Sequence, residues 1–255
     1  MMNYALWGVF GLLLITIETQ AREPLIEVQE PYYPRNADVS YCRRKTDIVD
    51  TIVFHHSQTT TTTTPEDINE MHLERGTAED PWLMIGYHFT INSPYVDSPR
   101  YKTYVSRGRP FHIAGSHAGS DVYSKVTPET KLLLSKKDSV RCGTETGVVS
   151  EADDKFNPDG FAKANYTTVA IVLIGNYFVR NQSNPGGYPI GSERFPTARA
   201  IDAAARLACQ LQKDNPRIQN IKWHSFYRAT SCPAKVRERI NAIITQTEKY
   251  GCKFQ

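Results

Sequence analysis

Thr167-Thr168-Val169-Ala170-Ile171-Val172-Leu173-Ile174 is the most apolar β-branched run beyond the first residues of the chain. It carries no charge and does not alternate, so it predicts a strand buried on both faces at the centre of a sheet. Gly175-Asn176 closes it. Upstream, Thr51-Ile52-Val53-Phe54-His55-His56 has the same strand character. Met84 to Ile91 and Tyr101 to Ser106 predict two further strands, joined by a turn rich in Pro, Asp and Ser at 93–99. The six threonines Thr59 to Thr64 read as a polar loop ending in a helix start. Thr64 is placed as N-cap, Pro65 as first helical residue, and Glu66 and Asp67 lie over the positive helix end. Helical spacing continues through Ile68, Met71 and His72 to about Arg75. Downstream, 197–213 puts Ile201, Ala204, Ala205, Ala208 and Leu211 on one stripe, and 233–249 does likewise with Val236, Ile240, Ile243 and Ile244. Pro233 is placed to open that last helix and Gly251 to end it. The class is α/β or mixed α+β, a central and mostly β-branched sheet flanked by helices.

Composition narrows the class further. At ~150 residues per domain, 255 residues make one or two domains. With 40% hydrophobic and 22% charged residues the chain is globular, which excludes disorder, collagen and coiled coil. A formal charge of +3 is far short of what a nucleic-acid binder shows.

Ala5 to Ile17 is an apolar run too short for a membrane-spanning helix, which needs ~20 residues. Followed by Thr19-Gln20-Ala21, it predicts a signal peptide over 1–21, cut after Ala21. Met1 to Tyr4 carries no Lys or Arg, so an uncleaved N-terminal anchor is the alternative. The signal predicts a secreted or periplasmic protein with no membrane span in the mature chain. Residues 22–47, rich in Pro, Tyr and charge, read as an extended arm, and 48–255 as one domain. Residues 119–164 are polar and aperiodic, an insertion that is either a flap or an ordinary surface loop. Lys155 to Gly160 only superficially suggests a calcium loop, because lysine holds the first ligand position and no Glu the twelfth. Asn165-Tyr166-Thr167 and Asn181-Gln182-Ser183 are glycosylation sequons.

The residues able to do chemistry are seven histidines (55, 56, 72, 88, 112, 117, 224) and five cysteines. An odd cysteine count in an exported protein leaves one thiol outside any intramolecular disulfide. Adjacent strand residues point to opposite faces, so only one of His55 and His56 looks into a given site. Cys232 follows His224 by eight residues and precedes a helix, where a thiol is inclined to be thiolate. Two imidazoles and one thiolate make a three-ligand zinc site with an open fourth position, the layout of catalytic zinc. Spacing alone leaves the alternative of satisfied core histidines and a merely buried cysteine.

Five motifs occur in order: IVFHHSQT at 52–59, GYHF at 86–89, GSHA at 115–118, VAIVLIGNY at 169–177 and WHSFYRATSCP at 223–233. Together they resemble the zinc N-acetylmuramoyl-L-alanine amidases of the bacteriophage-lysozyme and peptidoglycan-recognition-protein superfamily, over about 48–250 apart from 119–164. The resemblance implies a single amidase domain of the peptidoglycan-recognition-protein type. The implied reaction is metal-assisted hydrolysis of the amide between N-acetylmuramic acid and L-alanine in a muramyl-peptide substrate. It also implies Zn2+ as cofactor and His55, His224 and Cys232 as its ligands. Tyr87 and Thr230 are implied as catalytic donors, and His117 and Arg109 as residues lining the substrate cleft.

Two departures stand out. Thr230 replaces the lysine of the phage enzymes, as it does in several amidase-active recognition proteins. Pro110-Phe111 replaces the Gly-Trp that accompanies diaminopimelate preference, which leaves the peptide preference open. The competing functions are a peptidoglycan-binding module without hydrolysis, which the presence of Cys232 disfavours, and a zinc amidase or peptidase acting on another wall bond. With Cys232 on zinc, Cys42, Cys142, Cys209 and Cys252 remain to pair. Three connectivities are possible, and Cys209–Cys252 with Cys42–Cys142 is the expected one.

Overall fold

In the computed structural model the 167–174 run forms β5 (Thr168–Leu173), buried at every residue. The structure describes residues 24–35, 44, 46–75, 82, 84–94, 102–117, 165, 167–177, 195–227 and 230–255. The expected signal peptide, the 119–164 insertion, Cys42, Cys142 and the sequon at Asn181 lie outside the described residues.

β5 is flanked on both sides by parallel strands. One neighbour is β2 (Thr51–His56), in register from Thr51 opposite Thr168 to His56 opposite Leu173. The other is β3 (Phe89–Asn92), with Phe89 opposite Ile171. Beyond β3 come β4 (Tyr104–Arg107), antiparallel to it, and the short β1 (Val28–Gln29), parallel to β4. Beyond β2 lies β6 (Asn220–Trp223), again parallel. The six-stranded order is β1-β4-β3-β5-β2-β6. Central parallel strands have no wet face, which is why β2 and β5 carry unbroken apolar runs.

Alternation sorts the two faces. Ile52, Phe54, Val169, Ile171 and Leu173 pack against α2 (Ala198–Asp214) and α4 (Lys235–Glu248) through Ala200, Ala204, Leu207, Ala208, Val236, Ile240 and Ile243. Each fully buried Leu or Ile contributes about 1.5–3 kcal/mol. The other face meets α1 (Pro65–Arg75) and a second cluster of Tyr33, Ile68, Met84, Ile85 and Ile174. α1 opens with Thr64 as the expected N-cap, accepting from the Asp67 amide (3.1 Å), and Asp67 Oδ2 returns the bond by accepting from the Thr64 amide (2.8 Å). Thr197 caps α2 by accepting from the Ala200 amide at 3.0 Å. Among the described residues no helix is long and apolar enough to cross a membrane.

Three expectations need correction. Met84 to His88 is not strand, because the Ile85 and Gly86 amides donate to Asn69 Oδ1 (2.7 Å) and His72 Nδ1 (2.9 Å) on α1 and leave no ladder to join. The extended arm contributes β1, and 220–223 adds a strand, β6, that the sequence reading did not place. The last helix starts at Lys235, two residues after Pro233, preceded by Ala234 at φ 51°. Its other end is as expected: Gly251 has φ 79°, and the Cys252 amide reaches back to the Thr247 carbonyl.

The predicted Cys209–Cys252 disulfide is present, with Cα atoms 5.5 Å apart. It ties the C-terminal segment to α2. That segment continues along β6, where the Ile221 amide donates to the Gln255 carbonyl (3.2 Å) and the Gln255 amide to the Gln219 carbonyl (2.9 Å).

Candidate metal centre

The site forms where β2 and β6, neighbours in the sheet, reach their carboxyl ends. His55 is the fifth residue of β2, on the face turned from α2 and α4. His56 turns the other way, and its Nδ1 accepts from the Tyr177 amide at 3.2 Å. β6 runs directly into the short helix α3 (His224–Tyr227), so His224 emerges beside His55, with ring centroids 4.6 Å apart. The turn before α4 returns Cys232 to the same place. The Ser225 amide donates to the Cys232 carbonyl (3.0 Å) and holds the His224 and Cys232 segments together.

One donor atom from each of His55, His224 and Cys232 lies within 4.8 Å of the others. Cys232 Sγ sits 3.7 Å from His55 Nδ1. His224 Nε2 is buried and has no hydrogen-bond partner among the described residues, an arrangement that costs about 1–3 kcal/mol unless something else satisfies the atom. Two imidazoles and a thiol converging around an orphaned nitrogen fit a borderline-soft divalent cation such as zinc.

Burial sets the protonation states. It holds the His55 imidazole well below its ordinary value, with the neighbouring His224 and His117 adding to the shift, and brings His224 down to about 4. Both are therefore neutral, the form that ligates metal. The expectation that a helix end lowers the Cys232 pKa is overturned. Burial pushes that thiol up to about 12, outweighing the opposing influence of the His56 backbone. α4 begins three residues later, so its positive end does not touch the sulfur.

Tyr87 stacks obliquely on His55, with centroids 5.1 Å apart, and contacts His72 at 5.3 Å. Burial raises its phenol pKa, so it keeps its proton. Its carbonyl accepts from the Arg109 amide at 2.8 Å. Gly108 is required there, because a Cβ at that residue would fall 2.4 Å from the Tyr87 carbonyl oxygen. Thr230 Oγ1 accepts from the Cys232 amide at 3.2 Å.

Arg109 and His117, both expected to line the cleft, are buried and directed inward. The Arg109 guanidinium donates to the Ile85, Ala114 and Met84 carbonyls and to Ser116 Oγ, stitching the Tyr87 segment to the His117 segment. His117 Nδ1 lies 3.0 Å from His55 Nε2 and its Nε2 3.0 Å from Thr168 Oγ1.

Two supporting residues escaped sequence reasoning. His72 accepts the Gly86 amide and packs on Tyr87, and its helical spacing with Ile68 was the only sign of burial. Arg44, also buried, donates to the carbonyls of Phe111, Asn165 and Thr168, and nothing in its local sequence marks it.

Comparison with known proteins follows the same line. Residues 44–235 match the family described as N-acetylmuramoyl-L-alanine amidase. No curated protein is a significant match. Among solved structures, the N-acetylmuramoyl-L-alanine amidase LysC from Clostridium intestinale is similar at 20% identity, over 89% of this chain and 99% of that one, with a TM-score of 0.49. The endolysin of a Thermus scotoductus bacteriophage gives 17%, 87%, 99% and 0.49 for the same quantities. Drosophila PGRP-LB in complex with tracheal cytotoxin gives 20%, 76%, 79% and 0.42. The family match spans well over half of the sequence and includes His55, Tyr87, His224 and Cys232: the chain belongs to the N-acetylmuramoyl-L-alanine amidase family.

Proposed function

We propose that this amidase is an exported zinc hydrolase that cuts the bond between the lactyl group of N-acetylmuramic acid and the first alanine of the stem peptide. The observation that carries the zinc reading is the convergence of His55, His224 and Cys232 donor atoms around the unpartnered His224 Nε2. Zinc bound by these three residues would supply Lewis-acid polarisation of the amide carbonyl and a water acidified toward pKa ~7.

The protein's own groups have separable tasks. Cys232, protonated in the metal-free state, gives up one proton when it becomes a ligand. The protonated Tyr87 phenol beside His55 is suited to donate a hydrogen bond to the substrate carbonyl oxygen as negative charge builds there. Thr230 holds the Cys232 amide, and its hydroxyl hydrogen remains available as a second, neutral donor. Export is supported by the Cys209–Cys252 disulfide, which belongs to an oxidising compartment. The wall polymer that the family attacks supports it too.

Digestion of purified cell walls, with products identified by mass spectrometry, tests the reading. The expected products are stem peptides with a free N-terminal alanine, abolished by a chelator and restored by zinc. Products retaining the lactyl–alanine bond would exclude this amide as the one cut. Tight binding to walls without release of peptide would make the protein a recognition module.

A further inference from the structure

We propose that His117 is a positioning residue for the metal centre: its Nδ1 accepts a hydrogen bond from His55 Nε2 and so keeps the His55 Nδ1 lone pair aimed at Cys232. The inference rests on the zinc reading above and names a further residue that the reading depends on.

The contacts form one directed chain. His55 presents Nδ1 to Cys232 Sγ at 3.7 Å and Nε2 to His117 Nδ1 at 3.0 Å. His117 presents Nε2 to Thr168 Oγ1 at 3.0 Å. A neutral imidazole carries one proton, so the direction of each bond fixes the next. If His55 Nδ1 is a ligand, its proton sits on Nε2 and is donated to His117 Nδ1. The His117 proton then sits on Nε2 and is donated to Thr168 Oγ1, which as a hydroxyl can accept it. Reversed, the chain would put a proton on His55 Nδ1 and close it to metal. Thr168 therefore accepts at one end what Cys232 needs left free at the other, and a second-sphere partner of this kind orients a ligand ring.

The backbone holds His117 for this purpose. Its amide donates to Asn165 Oδ1 at 3.1 Å. Its ring lies so close over Gly115 that a Cβ there would fall 2.4 Å from Cδ2 and 3.0 Å from Nε2. Only 6% of His117 is exposed, and both ring nitrogens point at protein atoms. This is the environment of a second-sphere group rather than of one that meets substrate.

The test uses the full chain and three variants: His117→Leu, which removes the acceptor; His117→Asn, which returns an amide oxygen close to the place of Nδ1; and Thr168→Val, which removes the far end of the chain. Zinc affinity is read by competition with a chromophoric chelator, and the His55 tautomer by 15N NMR of the metal-free protein. His117→Leu is expected to weaken zinc binding about 10- to 100-fold. His117→Asn should stay within about threefold of the parent and Thr168→Val should fall between, as graded loss of one orienting bond implies.

In the parent, His55 should carry its proton on Nε2, and Thr168→Val should raise the Nδ1–H population. Unchanged zinc affinity in both His117→Leu and Thr168→Val, with a raised KM instead, would overturn the proposal and place His117 against substrate. If the parent binds no zinc, the zinc reading fails. The NMR measurement then decides separately, because a His55 tautomer indifferent to both His117→Leu and Thr168→Val overturns the positioning role. Should His117→Leu fail to fold, Thr168→Val carries the comparison, with His117→Asn as the variant expected to match the parent.

Discussion

The helix that starts at Pro65 and the helix that starts at Lys235 meet the same local problem in different ways. α1 has a side-chain cap returned by Asp67, with Glu66 and Asp67 over its positive end. α4 has no such cap, and a single acid, Glu238, in its first turn. Its cap residue is Ala234 at φ 51° and ψ −127°, no side chain caps it, and a lysine comes first. A tertiary bond replaces the local cap: the Lys235 amide donates to the Tyr177 carbonyl. A segment that only has to begin a helix follows the local rules. One that has to deliver a thiol to His55 departs from them, and distant contacts offset the cost.

The contrast can be broken at several levels. Replacing Cys232 with serine should abolish tight zinc binding and lower wall hydrolysis by about 1,000-fold or more, since a three-ligand site loses its thiolate. Zinc titration and product release measure both effects, and the fold, read by circular dichroism, should persist. Tyr87→Phe, in the wall of the same site, should leave zinc affinity intact and cut turnover about 10- to 1,000-fold, as loss of one charge-stabilising donor does. Equal turnover would remove the phenol from the chemistry.

Acid should separate the two regions next. Burial holds His72 at about 3 and His88 well below its ordinary value. Below the unfolded pKa near 6.5, the unfolded chain takes up protons that the folded one refuses, so these groups lower stability as pH falls from about 6.5 toward 3. Denaturant titrations of the metal-free protein at pH 7 and 4.5 should show the loss, with hydrogen exchange rising first around Gly86 and Ala170, whose amides these histidines accept. The smallest effects come from the caps themselves. Thr64→Ala should cost about 1 kcal/mol by chemical denaturation. Ala234→Gly should shift stability by about 1 kcal/mol or less, in the opposite direction, because glycine relieves the positive φ at the expense of a freer unfolded chain.

The sequence was legible wherever a local pattern decided the outcome. β2 and β5 announced themselves by apolar runs, α1 by its Thr-Pro start and acidic first turn, and α2 and the last helix by their stripes. The convergence of His55, His224 and Cys232 was legible from spacing together with family likeness. Met84 to His88 was misread because side chains on α1 capture its amides, a choice made in three dimensions. β6 was overlooked because its four residues, Asn-Ile-Lys-Trp, carry too little pattern to mark a strand. The ionisation of Cys232 was misjudged because a helix end is visible in sequence and burial is not. Thr168 drew notice only as part of a strand, since its contact with His117 joins residues far apart in the chain.

The strip from Cys252 to Gln255 that borders β6 has a consequence for solubility. It lies along β6 and is tied to α2 by the Cys209–Cys252 bond, so opening that bond loosens the cover of the strand. An open strand edge is a template for pairing with another chain. A reductant that opens the Cys209–Cys252 bond should therefore favour self-association along β6, which makes the disulfide a guard on solubility as well as on the fold.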